Sequence, residues 1–161
     1  MTYPHIPAMN TPWIGVLKGK VILVGVGNPL RGDDGFGPHL VERLRGHVRA
    51  VCLDAGTTPE NYAGKIVKEN PDTILLVDAV HLNRAPGEYA LLEKADILSS
   101  GFTTHDISPR LFIEYLETQT RAKIYLLGVQ PKNLSLDGEM SGPVSRAVDE
   151  LASQIRQALH T

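Results

Sequence analysis

The sequence predicts an α/β domain built on a largely parallel sheet, and three observations carry that expectation. Short, nearly continuous apolar runs at residues 21–26, 51–54 and 74–78 have the composition of strands covered on both faces. Patterns of helical period stand between them, so the order begins βαβαβ. The whole chain is 161 residues, the usual size of one compact domain with a substantial core.

Taken in order, residues 1–19 carry Pro4, Pro7 and Pro12 and read as an extended arm ahead of a single domain at 20–161. After the first strand, Phe36, Leu40, Val41 and Leu44 recur on one helical face. The stretch "TTPENYAGKIVKEN" offers Thr57 or Thr58 as an N-cap, then Pro59 and Glu60 in a first turn. The segment 87–93, "GEYALLE", follows the third strand after only "HLNRAPG", too short for a parallel crossover carrying a helix. It is expected as an antiparallel or edge strand. Ser108 as N-cap and Pro109 as first residue open a helix whose core face would be Leu111, Phe112, Tyr115 and Leu116, and a strand at 122–129 follows. From Pro143 the spacing of Val144, Val148, Leu151, Ile155 and Leu159 closes the chain with an amphipathic helix.

Composition excludes several function classes. Sixteen Lys and Arg against eighteen Asp and Glu give a net charge of −2 with no basic block, so no nucleic-acid partner is expected. No run approaches the roughly 20 apolar residues of a membrane span, and the first twenty residues lack the pattern of a signal peptide, so no membrane insertion and a cytoplasmic setting are expected. The single Cys52, within "AVCLDAG", reads as a small buried hydrophobe. Serine-elbow, His-Glu-x-x-His, Cys-x-x-Cys and phosphate-binding lysine motifs are all missing.

The stretch "GVGNPLRGDDG", 25–35, follows the first strand and mimics a dinucleotide turn, with Asp54 ending the second strand as the ribose partner would. The match fails twice. The third glycine of the fingerprint would fall at position 30, which is Leu30, and Asp33 and Asp34 stand where a pyrophosphate needs amide donors. Acids there also cap a helix and complement its dipole, worth on the order of 1 kcal/mol, for which one would suffice.

Ligands of open α/β sheets bind beyond the carboxyl ends of the strands. In this sequence those ends carry acids repeatedly: Asp33 and Asp34 after the first strand, Asp54 closing the second, Asp78 closing the third. His105, in "SGFTTHDISP", is placed on the same edge. Crowded carboxylates invite a compensating cation, and two carboxylates with an imidazole suit nickel, iron or zinc with positions left open. The plainer readings are hydrogen bonding at a strand end for Asp78, a turn start for Asp54, and a loop histidine for His105.

The elements "VGVGNPLRGDDGFGP", "DAGTTPEN", "LLVDAV", "TTHDISPRLFIEYL" and "LLGVQP" resemble, in order and spacing, the peptidases that mature the large subunit of nickel-iron hydrogenases, most closely the hydrogenase-3 type. The similarity runs from about Val21 to Leu151. It implies an endopeptidase that removes a short C-terminal extension from the large-subunit precursor once nickel is installed, cutting just beyond the last metal-binding cysteine motif. It also implies a three-layer α/β/α sandwich of phosphorylase/hydrolase-like type, on a mixed five-stranded sheet with one antiparallel strand. Carried onto matching positions, the nickel contacts are Asp34, Asp78 and His105, with Asp34 also catalytic and Asp54 nearby as support or base. The nickel is that of the precursor. The alternatives are a dinucleotide-binding oxidoreductase and a non-catalytic chaperone that senses nickel. The arm before Lys20 departs from the family pattern.

Overall fold

A computed structural model describes residues 13–100 and 109–160. In chain order the elements are α1 (Trp13–Val16), β1 (Val21–Val26), α2 (Phe36–Leu44), β2 (Val51–Gly56), α3 (Ala63–Lys68), β3 (Thr73–Ala79), β4 (Tyr89–Leu92), α4 (Lys94–Ser100), α5 (Pro109–Gln119), β5 (Lys123–Val129) and α6 (Gly142–Ala158). Short 3-10 turns, Gly32–Gly35 and Pro59–Tyr62, lead into α2 and α3.

The five strands form one sheet in the order β2-β1-β3-β5-β4. β1, β2, β3 and β5 are parallel, and β4 pairs antiparallel with β5 at the edge, as its short connection requires. Every residue of the central strand β3 is buried, which is why it reads as an unbroken apolar run. Side-chain alternation divides the core in two. Leu23, Leu75 and Leu127 pack with Trp13, Leu40 and Leu151 on the α1, α2 and α6 side. Ile22, Ile74 and Leu126 pack with Ile66, Ile97 and Leu116 on the α3, α4 and α5 side. The architecture is the expected three-layer α/β/α sandwich on a mixed sheet.

Three local expectations differ. Residues 13–19 of the expected arm join the domain: Trp13 is buried, and its indole Nε1 donates to Gln154 Oε1 on α6 at 2.8 Å. Prolines upstream masked a helix of one turn. On α5, Leu111 and Tyr115 are exposed, whereas Ile113 is buried with Phe112 and Leu116. The apolar residues of "LFIEYL" fill more than one helical stripe, so period alone could not select the inner one. Finally, α4 carried no sequence signal that separated it from the loop before it. The proposed cap Ser108 lies outside the described residues, as do residues 1–12.

Cys52 is 7% exposed and faces the α2 side of β2. Burial pushes its thiol pKa up, partly offset by the charge of Arg45. Cys52 is therefore expected to resist a disulfide reagent in the native protein and to react fully in denaturant, measured by thiol titration. Rapid native labelling would show that β2 opens.

Candidate active site

The turn between β1 and α2 is shaped by glycines at places where a side chain cannot fit. Gly27 adopts φ +138°, and a Cβ there would collide with the carbonyl oxygen of Asp34. Gly25 and Gly37 let α2 lie directly on the sheet, for a Cβ on Gly37 would meet the carbonyl oxygens of Val77 and Val26. The glycines of this motif serve close packing.

The amides of the turn are all engaged within the protein. Gly27 N donates to Gly56 O at 2.8 Å, Asn28 N to Asp34 Oδ2 at 2.8 Å, and Leu30 N to Asn28 Oδ1 at 2.9 Å. Arg31 N donates to Asn28 O, Gly32 N to Gly138 O, Asp33 N to Asn133 O and Asp34 N to Arg31 O. Pro29 has no N–H. A pyrophosphate would find these backbone amides already engaged and two buried carboxylates beside them, so the geometry opposes the dinucleotide alternative.

Asp34 and Asp78 are brought together. Asp34, in the 3-10 turn, is 1% exposed, and Asp78, the penultimate residue of β3, is 2% exposed. Burial holds the Asp78 carboxyl well above the ordinary carboxylate range, and the negative charge of Asp34 raises it further. A hydrogen bond from the Ala79 backbone opposes both. Asp78 Oδ1 is buried and accepts no hydrogen bond from the described residues.

Asp54 is placed differently. In register it stands beside Gly25, itself level with Val77, and alternation along β2 gives Asp54 the face of Cys52, the α2 side. Asp78 alternates with Val77 and so takes the opposite face. The half-buried Asp54 carboxylate accepts from Gly56 N at 2.9 Å, closing a turn at the strand end. His105 lies outside the described residues. Among the described residues no group of three His, Cys, Asp or Glu side chains is placed to hold a metal ion.

One contributor, and the role of another, escaped the sequence reading. Gln130, just after β5 in "LLGVQP", accepts from Leu82 N at 2.6 Å and so ties down the chain that leaves β3 after Asp78. A polar residue directly after a buried strand was its available signal. Asp33 points away from Asp34 and engages residues about a hundred positions later, which no local pattern could reveal. A cleft of about 600 Å³ beside Asn70, Asp72 and Arg121 lies at the opposite, amino-terminal edge of the sheet, away from the acids.

Comparison with known proteins places the chain in a family. The family model described as HycI, hydrogenase maturation protease, matches residues 38–158. The hydrogenase 3 maturation protease of Escherichia coli K12 is 31% identical over 137 residues, covering 83% of this chain and 87% of its own. A crystal structure of the [NiFe] hydrogenase maturation protease HycI from Thermococcus kodakarensis superposes with a TM-score of 0.83 at 33% identity, covering 91% of this chain and 97% of that one. Architecture and sequence converge, and the chain belongs to the hydrogenase maturation protease family.

Proposed function

We propose that this peptidase removes the C-terminal extension of a nickel-iron hydrogenase large-subunit precursor, in the cytoplasm, after nickel has been inserted, and that it uses the precursor's own nickel for recognition. The observation that carries the reading is the buried pair Asp34 and Asp78 at the carboxyl edge of the sheet. Two adjacent carboxylates, one with a buried oxygen that accepts no hydrogen bond from the described residues, form a donor set that a divalent cation would satisfy. Asp34, Asp78 and His105 are the residues assigned to that contact.

Nickel on the precursor supplies positive charge and Lewis acidity beside the scissile bond. The chain's own residues do the rest. Burial keeps Asp78 protonated beyond the usual range, and an arriving cation favours release of that proton. Asp34, held by Asn28 N, fixes one side of the docking point, so an unloaded precursor lacks the charge that would reward binding. Hydrolysis requires a proton to leave the attacking water and another to reach the leaving amide nitrogen. A carboxylate of this pair, positioned within the site, carries that transfer. Asp54, on the other face of the sheet, is assigned to support of the β1–β2 edge.

The experiment is mass spectrometry of a nickel-loaded large-subunit precursor and of its nickel-free form after incubation with the protein. Loss of one discrete C-terminal peptide from the loaded form alone is expected. Equal loss from both would remove the metal from recognition, and binding without loss from either would favour the chaperone.

A further inference from the structure

The two adjacent acids of the turn divide their work, and we propose that Asp33 is a positioning residue that sets the place of Asp34. Its carboxylate is fully buried and accepts four hydrogen bonds from two separate points of the chain. Oδ2 accepts from Lys132 N at 2.8 Å, Asn133 N at 2.9 Å and Ser141 Oγ at 2.8 Å, and Oδ1 accepts from Ser141 N at 2.7 Å. The backbone adds Asp33 N to Asn133 O at 2.8 Å, Gly32 N to Gly138 O at 3.2 Å and Asp137 N to Leu30 O at 2.7 Å. Gly32 accommodates this approach at φ +56°, where a Cβ would stand 2.5 Å from Asn133 O.

The segment so captured is itself anchored. Ser141 is the N-cap residue of α6, yet its hydroxyl caps no helix amide and is given to Asp33. α6 packs against α2 and the sheet through Val144, Val148 and Leu151. The chain from 132 to 141 therefore links the turn to a helix whose inner face is docked on the sheet. Successive side chains in a 3-10 turn diverge by about 120°, so an Asp33 fixed toward Ser141 leaves Asp34 aimed elsewhere, at Asn28 N and toward Asp78. Fixing the first acid orients the second.

The test uses Asp33→Asn in the full chain. Asparagine keeps one acceptor oxygen and turns its NH2 group either on Ser141 N or on Lys132 N, Asn133 N and the Ser141 hydroxyl, so at least one backbone amide loses its acceptor. The amide proton of Asn28, which donates to Asp34 Oδ2, reports the position of Asp34 directly. Its resonance is expected to move upfield and its exchange to quicken. The kcat for precursor processing is expected to fall about ten- to a hundredfold, the loss typical of a misplacement near 1 Å, with KM within about twofold. An unchanged Asn28 resonance with unchanged kcat would overturn the proposal even if the melting temperature fell. Should Asp33→Asn fail to fold, Ser141→Ala removes one of the four donors, and the same resonance must shift in the same direction by less; no shift overturns the proposal. The kinetic arm rests on the peptidase function proposed above. The Asn28 signal does not, so a wild-type protein that cleaves no precursor would refute that function and leave this inference decided by the resonance.

Discussion

Asp78→Asn is expected to impair precursor processing severely and, in the metal-free protein, to raise thermal stability at neutral pH. The two effects share one cause. Asp78 is buried beside Asp34, and its folded-state pKa is raised, first by burial and then by the charge of Asp34. An unfolded aspartate releases its proton near pH 4. Above that pH the native state binds more protons than the unfolded state, so the contribution of Asp78 to stability falls as pH rises toward the raised folded value and then levels. Asparagine is nearly isosteric and has no proton to lose at this site. The variant's stability should therefore fall less between about pH 4 and neutrality than that of the wild type. Removal of a charged group from the reacting centre should lower cleavage by on the order of 10²–10³-fold. Thermal melts from acid to neutral pH, paired with mass spectrometry of the precursor, check both. A variant less stable than wild type at neutral pH would mean that the carboxylate is well satisfied in the fold. Retained cleavage would remove Asp78 from the site.

Such a site stores instability for use. A carboxyl in the best-covered strand of the sheet, with an oxygen lacking a donor among the described residues, opposes folding, whereas a polar residue chosen for stability would have been given partners. The contrast with Asp33 is internal evidence, since that acid of the adjoining turn, equally buried, accepts four hydrogen bonds. On the function proposed above, the turn holds Asp33 for the fold and Asp34 for the chemistry.

That division explains how far the sequence could be read. Strands β1, β2, β3 and β5 were legible because each spells its cover on both faces as an apolar run, and the acids that end or follow the first three mark the carboxyl edge. Strand order placed Asp33, Asp34, Asp54 and Asp78 on one edge, and the family resemblance singled out Asp34 with Asp78. The separate duty of Asp33 depends on Ser141, 108 residues away, and only the folded chain brings them together. Asp54 matched the same edge in sequence, but strand parity turned it to the α2 side. Trp13 was hidden by prolines that suggested an extended arm, although a lone tryptophan ahead of the first strand was itself a sign of packing.

Gly37→Ala is expected to destabilise the protein by at least about 3 kcal/mol, at the upper end for overpacking, and to impair processing as well. The atoms that an added methyl would strike are the carbonyl oxygens of Val77 and Val26 and the amide nitrogen of Val26. These belong to backbone held in the sheet and cannot rotate away as a flexible side chain would. Relief requires α2 to lift from β1 and β3, which opens the core around Phe36, Leu40 and Val41. The same displacement presses on Val77, whose carbonyl adjoins the peptide leading to Asp78, so the fault reaches the site through one residue. Gly64→Ala provides the control. Gly64 lies within α3, exposed, with nothing within 4 Å of the added carbon, and alanine there should stabilise by about 0.5–1 kcal/mol through helix propensity alone. Chemical denaturation of both variants against wild type separates the cases. If Gly37→Ala unfolded at the wild-type midpoint, the approach of α2 to the sheet would have slack, and the glycines of "VGVGNPLRGDDGFGP" would need a reason other than packing.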